Sequence, residues 1–181
     1  SLNILFPTLQ VPCYDRLTGT RTMNEVTQIL SAIESGDPLA ADELLPLDRW
    51  AVDRASQLQQ QVITAYDDYL FLQIYQKVHH FCAVDMGSFY LDILKDRLYT
   101  NAPKSHARRS AQTTLWNITH AMLRWMAPFL SFTAEEAWKL FGGSDSIFFE
   151  TYAEIGGPDP ALLAKWDRIR EIRDLANKEV E

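Results

Sequence analysis

An all-α fold, an antiparallel helical bundle, is what these 181 residues predict, and three observations carry the prediction. Apolar side chains recur at spacings of three and four through most of the chain, the period of helices with one buried face. Glycines and prolines are few, seven and eight, and most fall between the periodic runs. A hydrophobic share of 47% against 23% charged supplies one real core and excludes a disordered acidic chain. The one expected departure is a short extended segment at 147–152, where Ile147, Phe148, Phe149 and Tyr152 are β-branched or aromatic.

Residues 1–21 hold Pro7, Pro12 and Gly19 without a period and read as an arm. From Thr22 the residues Met23, Val26, Ile29, Leu30 and Ile33 trace a helix that Gly36-Asp37-Pro38 ends, and a short segment follows at Ala40–Leu45. Residues 1–44 therefore form an N-terminal unit, and 45–181 form the bundle. Asp48 is expected to open a long helix with Trp50, Leu58, Val62, Ala65 and Tyr66 inward and Arg54, Gln57 and Gln60 outward. After a break at Asp67-Asp68 comes the most apolar run, 69–98, with Gly87 as a kink point. Tyr99–Lys104 is a loop, and Ser105 caps a helix that runs to Ala127 before Pro128. Thr133 and Glu136 have capping-box spacing for the helix that Gly142-Gly143 stops. Asp159 and Pro160 open the last helix, with Leu162, Leu163, Trp166, Ile169 and Ile172 on one face.

Several classes of function find no footing. No apolar run approaches the ~18 residues a membrane span needs. The chain opens at Ser1 without a start methionine, signal or transit segment and stops inside a helix, which reads as a piece of something longer. Two cysteines, Cys13 and Cys82, make neither a disulfide framework nor a metal cage, and point to a reducing cytoplasm. The nucleophile elbow, the phosphate-cradling glycine loop and the His-Glu-x-x-His zinc pattern are missing from the sequence. His79 and His80 are adjacent, so on a helix they diverge by about 100° and share no metal. Asp67-Asp68 reads as a cap, and Cys82 as an inert core thiol. No catalytic residue, metal site or cofactor is expected.

The charge is uneven. A net −7 divides into −4 for residues 1–44, +2 for 45–126 and −5 for 127–181. Residues 95–124 alone are +5, a basic island on an acidic chain and the kind of focused field that suits a polyanion. Charge by itself does not separate such a site from a solvated helix face paired with the acidic flanks. Lys95, Arg97 and Tyr99 close one helix, while Lys104, Arg108, Arg109 and Gln112 open the next, so the loop between would converge them on one edge. Phosphates there would meet lysine and arginine charge beside a helix N-terminus. Tyr99 could stack on an unpaired base, and Asn101 or Gln112 could read base edges, as single-stranded RNA loops require.

The blocks Leu47-Asp-Arg-Trp50, Phe81-Cys-Ala-Val-Asp-Met-Gly-Ser-Phe-Tyr-Leu-Asp-Ile-Leu-Lys-Asp-Arg-Leu-Tyr99, Ala107-Arg-Arg-Ser-Ala-Gln-Thr-Thr-Leu115 and Arg124-Trp-Met-Ala-Pro-Phe-Leu-Ser-Phe-Thr-Ala-Glu-Glu136 closely resemble the anticodon-binding domain of bacterial-type isoleucyl-tRNA synthetases. The final segments are shared more loosely with the valyl and leucyl enzymes. The resemblance implies a cytoplasmic helical bundle that docks a tRNA anticodon arm beside the catalytic domain of a parent synthetase, with Lys95, Arg97, Arg108 and Arg109 matching the family's basic groups. It also implies that ATP and zinc belong to other modules of the parent, since His-x-Gly-His, Lys-Met-Ser-Lys-Ser and a cysteine-rich segment are not in this chain. The first 44 residues depart from that pattern; residues 23–47 resemble the start of an extracytoplasmic-function sigma factor, and Leu44–Leu47 fits either pattern, which suggests a join there. The competing functional reading is a helical protein–protein interaction module working through residues 22–45.

Overall fold

The structure, a computed structural model, describes residues 44–102 and 105–180. The expected arm at 1–21, the helix from Thr22 and the segment before Leu44 lie outside those residues.

Helix α1 spans Pro46–Asp67. It begins two residues before Asp48 because a proline at the first helical position needs no hydrogen-bond partner for the N–H it lacks. Leu45 has no capping side chain of its own, and its N–H donates instead to Ser110 Oγ at 2.9 Å. Trp50, Leu58, Val62 and Ala65 are buried as the period requires, but Arg54 turns inward to a buried carboxylate rather than out to water.

At the C-terminus of α1, the N–H groups of Tyr69 and Leu70 donate to the carbonyls of Tyr66 and Ala65, the paired bonds of a Schellman turn. Such a turn places its central residue at positive φ, and here that residue is Tyr69 at +57°. The same motif ends α5 (Ser131–Leu140), where Gly142 supplies the positive φ of +94°. Glycine takes this conformation freely and tyrosine does not. Tyr69 is 78% exposed, so it loses little packing on removal. Tyr69→Gly is therefore expected to stabilise the chain by about 1 kcal/mol, measured as an upward shift of the urea midpoint at constant slope.

Helix α2 (Phe71–His80) continues without a break into a π-helical segment, Phe81–Tyr90, and then into α3 (Leu91–Thr100). At Gly87 the apolar run lies within ten residues of wider turns. Val78, Cys82, Met86, Tyr90 and Leu94 recur in steps of four, which on an α-helix would drift about 40° per step. Wider turns absorb the drift and keep these side chains on the core side. A Cβ at Gly87 would come within 3.0 Å of the Cys82 carbonyl, so glycine suits the wide turn.

Helix α4 spans His106–Met126, with Ser105 Oγ accepting the Arg108 N–H as an N-cap. Helix α5 starts at Ser131, so Thr133 and Glu136 sit inside its first two turns and form no capping box. Glu135 is the residue put to use: it accepts the Ile147 N–H at 2.9 Å and the Ser146 hydroxyl. Those bonds accompany a single 3₁₀ turn, Ile147–Phe149, in place of the expected extended segment. Among the described residues no strand lies alongside to pair with it, so its backbone turns on itself and on Glu135. The non-helical strap that follows runs along α1, with Gln59 donating to the Ala153 carbonyl and Ser56 to that of Gly156. Asp159 then caps α6 (Pro160–Val180), accepting the N–H groups of Ala161 and Leu162.

Hydrogen bonds fix the directions. Leu45 meets Ser110 at one end of α1, and the Tyr66 hydroxyl donates to the Trp125 carbonyl at the other (2.7 Å), so α1 and α4 run parallel. Lys77 to Gln61, Arg54 to Asp85 and Tyr90 to Asp48 set α2, the π segment and α3 antiparallel to both. The antiparallel expectation thus holds between α1 and the run from α2 to α3, and between that run and α4. The core centres on Trp50, fully enclosed and edge-on to Phe89 at 5.0 Å, with Trp166 of α6 beside them. A smaller cluster of Leu123, Ala127, Ala134, Trp138 and Ile147 fills the joint between α4 and α5.

Candidate nucleic-acid interface

The lower end of the bundle is where α3 stops and α4 begins. Asn101 closes α3 in extended conformation, and Ser105 starts α4 four residues on. Tyr99 is 68% exposed at this corner. Lys95, one turn earlier on the same face of α3, is exposed and bonds Asp92 at 3.1 Å. Arg108 sits half-buried at the first turn of α4 and donates through Nη1 to the Asn101 carbonyl at 3.4 Å, tying the helix start to the loop. Among the described residues it bonds no preceding carboxylate. Arg109 is half-buried beside it, and Gln112 is half-buried one turn beyond Arg108. Lys104 lies outside the described residues.

Arg97 turns into the bundle. Its Nη1 donates to Asp48 Oδ2 at 2.7 Å, the guanidinium is 19% exposed and the carboxylate fully enclosed. The same carboxylate accepts the Tyr90 hydroxyl at 2.7 Å and the Ser110 hydroxyl. Burial and the neighbouring carboxylate hold the Tyr90 hydroxyl far above its usual pKa, so it stays a donor. Asp48 therefore joins α1, the π segment, α3 and α4 directly below the corner. Arg97 is spent on that junction, and its role at the edge is to hold the frame on which Tyr99 and Arg108 stand.

Two more buried carboxylates organise the opposite flank. Asp85, in the π segment, accepts Arg54 at 2.9 Å and Arg170 at 2.7 Å, which fastens α6 to the bundle. The Arg170 guanidinium also lies over the rings of Phe89 and Trp50, at 5.2 and 5.6 Å. Asp53 receives the Asp159 N–H at 3.1 Å and Arg49 at 3.4 Å. Sequence reasoning names Asp48 as a helix opener but singles out none of the three aspartates as a buried anchor. The usable signal is their place within apolar periods, since a carboxylate at a core position must find a cation or a donor. Cys82 is half-buried against the core with its thiol pKa pushed up by burial, in keeping with an inert thiol. Among the described residues no group of three or more His, Cys, Asp or Glu is placed to hold a metal ion.

On α4 and α5, His120 is stacked at 4.3 Å on Trp116 and edge-on to Trp138 at 4.9 Å. Burial, with Arg124 nearby, pulls its pKa down to about 4. The folded state thus favours the neutral ring. Its contribution is complete above the unfolded value near 6.5 and is lost as pH falls toward 4. Allowing for partial exposure, acidification across that window is expected to remove about 2 kcal/mol of stability. Melting curves at stepped pH check this, and His120→Phe should flatten the dependence between about pH 6.5 and about pH 4.5.

Comparison with known proteins meets this geometry at the same residues. The family model for the anticodon-binding domain of tRNA ligase matches residues 48–180, and the chain belongs to that family. Among individual proteins, it is 47% identical over 171 residues to the isoleucine–tRNA ligase of Alkalilimnicola ehrlichii, covering 89% of this chain and 18% of that one. It is 50% identical over 150 residues to the isoleucine–tRNA ligase of Legionella pneumophila, covering 81% and 16%. The chain thus spans less than a fifth of the length of these relatives. They are isoleucine enzymes, so the valyl or leucyl alternative is not favoured. The sigma-factor likeness of residues 23–47 finds no support in these comparisons.

Proposed function

We propose that residues 45–180 hold the anticodon arm of an isoleucine-accepting tRNA, as the RNA-docking module of an isoleucine–tRNA ligase in the cytoplasm. The observation that carries this reading is the corner at 95–112. There an exposed aromatic ring stands among cations at the junction of two helix ends, while Arg97 just below is neutralised by a buried carboxylate. The cations supply phosphate contact, which positions the arm, and the Tyr99 ring offers a stacking face for an unpaired base. The helical-interaction alternative places its surface at 22–45, of which 22–43 lie outside the described residues, and nothing in the family match favours it.

The salt dependence of binding tests the electrostatic half. Affinity for a labelled anticodon stem-loop should fall steeply as salt rises, and Arg108→Ala with Arg109→Ala should flatten the log–log slope by about two counterions. A double variant that binds like the parent at low salt would reduce these arginines to helix-start residues and remove the site assignment.

A further inference from the structure

A polar cleft of about 270 Å³ opens between α1 and the run of α2 into the π segment, with Arg54, Gln57, Gln61, Lys77 and His80 among the residues that line it. It is not the RNA edge. Lys77 stands eighteen residues before Lys95 on one continuous helical run, roughly 25 Å away at about 1.5 Å per residue, so the two lysines cannot share a phosphate.

The charge of the cleft is positive. Among its lining residues Asp85 is the one carboxylate, and both its oxygens are taken, Oδ2 by Arg54 at 2.9 Å and Oδ1 by Arg170 at 2.7 Å. Arg54, Arg170 and Lys77 thus set three cations against a single carboxylate, and Lys77 has no counter-charge of its own: its Nζ meets the Gln61 amide oxygen at 2.8 Å. The Gln57 amide oxygen is likewise held, by Arg54 Nη1 at 2.6 Å. An amide whose oxygen faces a cation turns its NH2 group elsewhere. Neither of these NH2 groups has an acceptor among the described residues, and Arg54 Nε is buried without one. The carboxylate and amide oxygens of the lining are therefore engaged, and what it offers is donors and positive charge.

That lining selects a ligand rich in acceptor oxygens. A phosphate monoester brings three such oxygens and close to two negative charges, matching the surplus where a single carboxylate does not. The volume lies at the small end of the range for ligand clefts and suits an ester of a compact alcohol. We propose that the cleft between α1 and α2 is a binding site for a phosphate monoester, held by Lys77 and the NH2 groups of Gln57 and Gln61, with Arg54 fixed behind them by Asp85. The site is independent of the RNA edge, and failure of either assignment leaves the other standing.

Titration of the full chain with glycerol phosphate tests it, followed by calorimetry and by the side-chain amide NMR signals of Gln57 and Gln61. Binding should saturate with a Kd of about 1 mM or tighter. Both amide signals should move, and neither glycerol nor succinate should reproduce the effect. Lys77→Gln should weaken binding at least about tenfold, the scale of one hydrogen bond to a charged group, while Lys77→Arg should bind close to the parent. Gln61→Leu, at an exposed position, should weaken binding as well, and melting curves of all three variants should match the parent. A titration that does not saturate would overturn the proposal, as would an unchanged affinity in Lys77→Gln. Succinate binding as tightly as glycerol phosphate would reduce the cleft to a general anion field and overturn it too. So would displacement of glycerol phosphate by the anticodon stem-loop, which would make the cleft part of an RNA surface.

Discussion

Asp48→Ala is expected to lower stability by about 3–5 kcal/mol, the range for removing one partner of a buried ion pair. For a domain of this size that is a fall in melting temperature of roughly 10 °C or more. The carboxylate is fully enclosed and has three donors, from Arg97, Tyr90 and Ser110. Alanine leaves the guanidinium, only 19% exposed, without its counter-charge and leaves two hydroxyls to find other partners. Asp48→Asn should fall between parent and alanine, because the amide oxygen still accepts but the charge is gone. In a double-mutant cycle, Arg97→Ala on top of Asp48→Ala should cost much less than it does alone. Chemical denaturation of the four proteins checks this; additive losses would mean that the two groups are energetically independent.

Asp85→Ala is expected to cost about 2–4 kcal/mol, somewhat less because its two arginines retain 21–25% exposure. The loss should also be local. Arg170 on Asp85 helps Arg173, on Asp92 and the Ser88 carbonyl, to hold α6 over Phe89 and Trp50, so hydrogen exchange should accelerate along α6 before it does in α1 or α4. Uniform acceleration across all helices would show that Asp85 supports the whole core and not the α6 joint.

The periods that mark the helices in the sequence are those of the buried stripes, which is why spacing alone puts Trp50, Val62, Leu94, Ile118 and Trp125 in the core. Ser105 and Asp159 are legible because N-capping is local chemistry, satisfied within three residues. What is not legible depends on distant partners. The Ile147 N–H turns to Glu135, twelve residues back, and Arg54 reaches Asp85 across two helices. The same limit governs the site. Charge, aromaticity and position single out seven residues; in the structure Lys95 and Tyr99 are exposed near the end of α3, Arg108, Arg109 and Gln112 are half-buried on the first turns of α4, and Arg108 bonds the Asn101 carbonyl between them. Nothing local in Lys95-Asp-Arg-Leu-Tyr99 shows that the arginine points into the bundle, since its partner Asp48 lies 49 residues away.

Binding of the labelled anticodon stem-loop to Tyr99→Ala and Tyr99→Phe, with melting curves recorded beside it, tests most directly the claim that this corner holds RNA. The ring is 68% exposed, so both variants should melt close to the parent. Tyr99→Phe keeps a stacking face and should bind like the parent; Tyr99→Ala should lose about 1–3 kcal/mol of affinity at every salt concentration. A Tyr99→Ala variant that melts and binds as the parent does would contradict the claim.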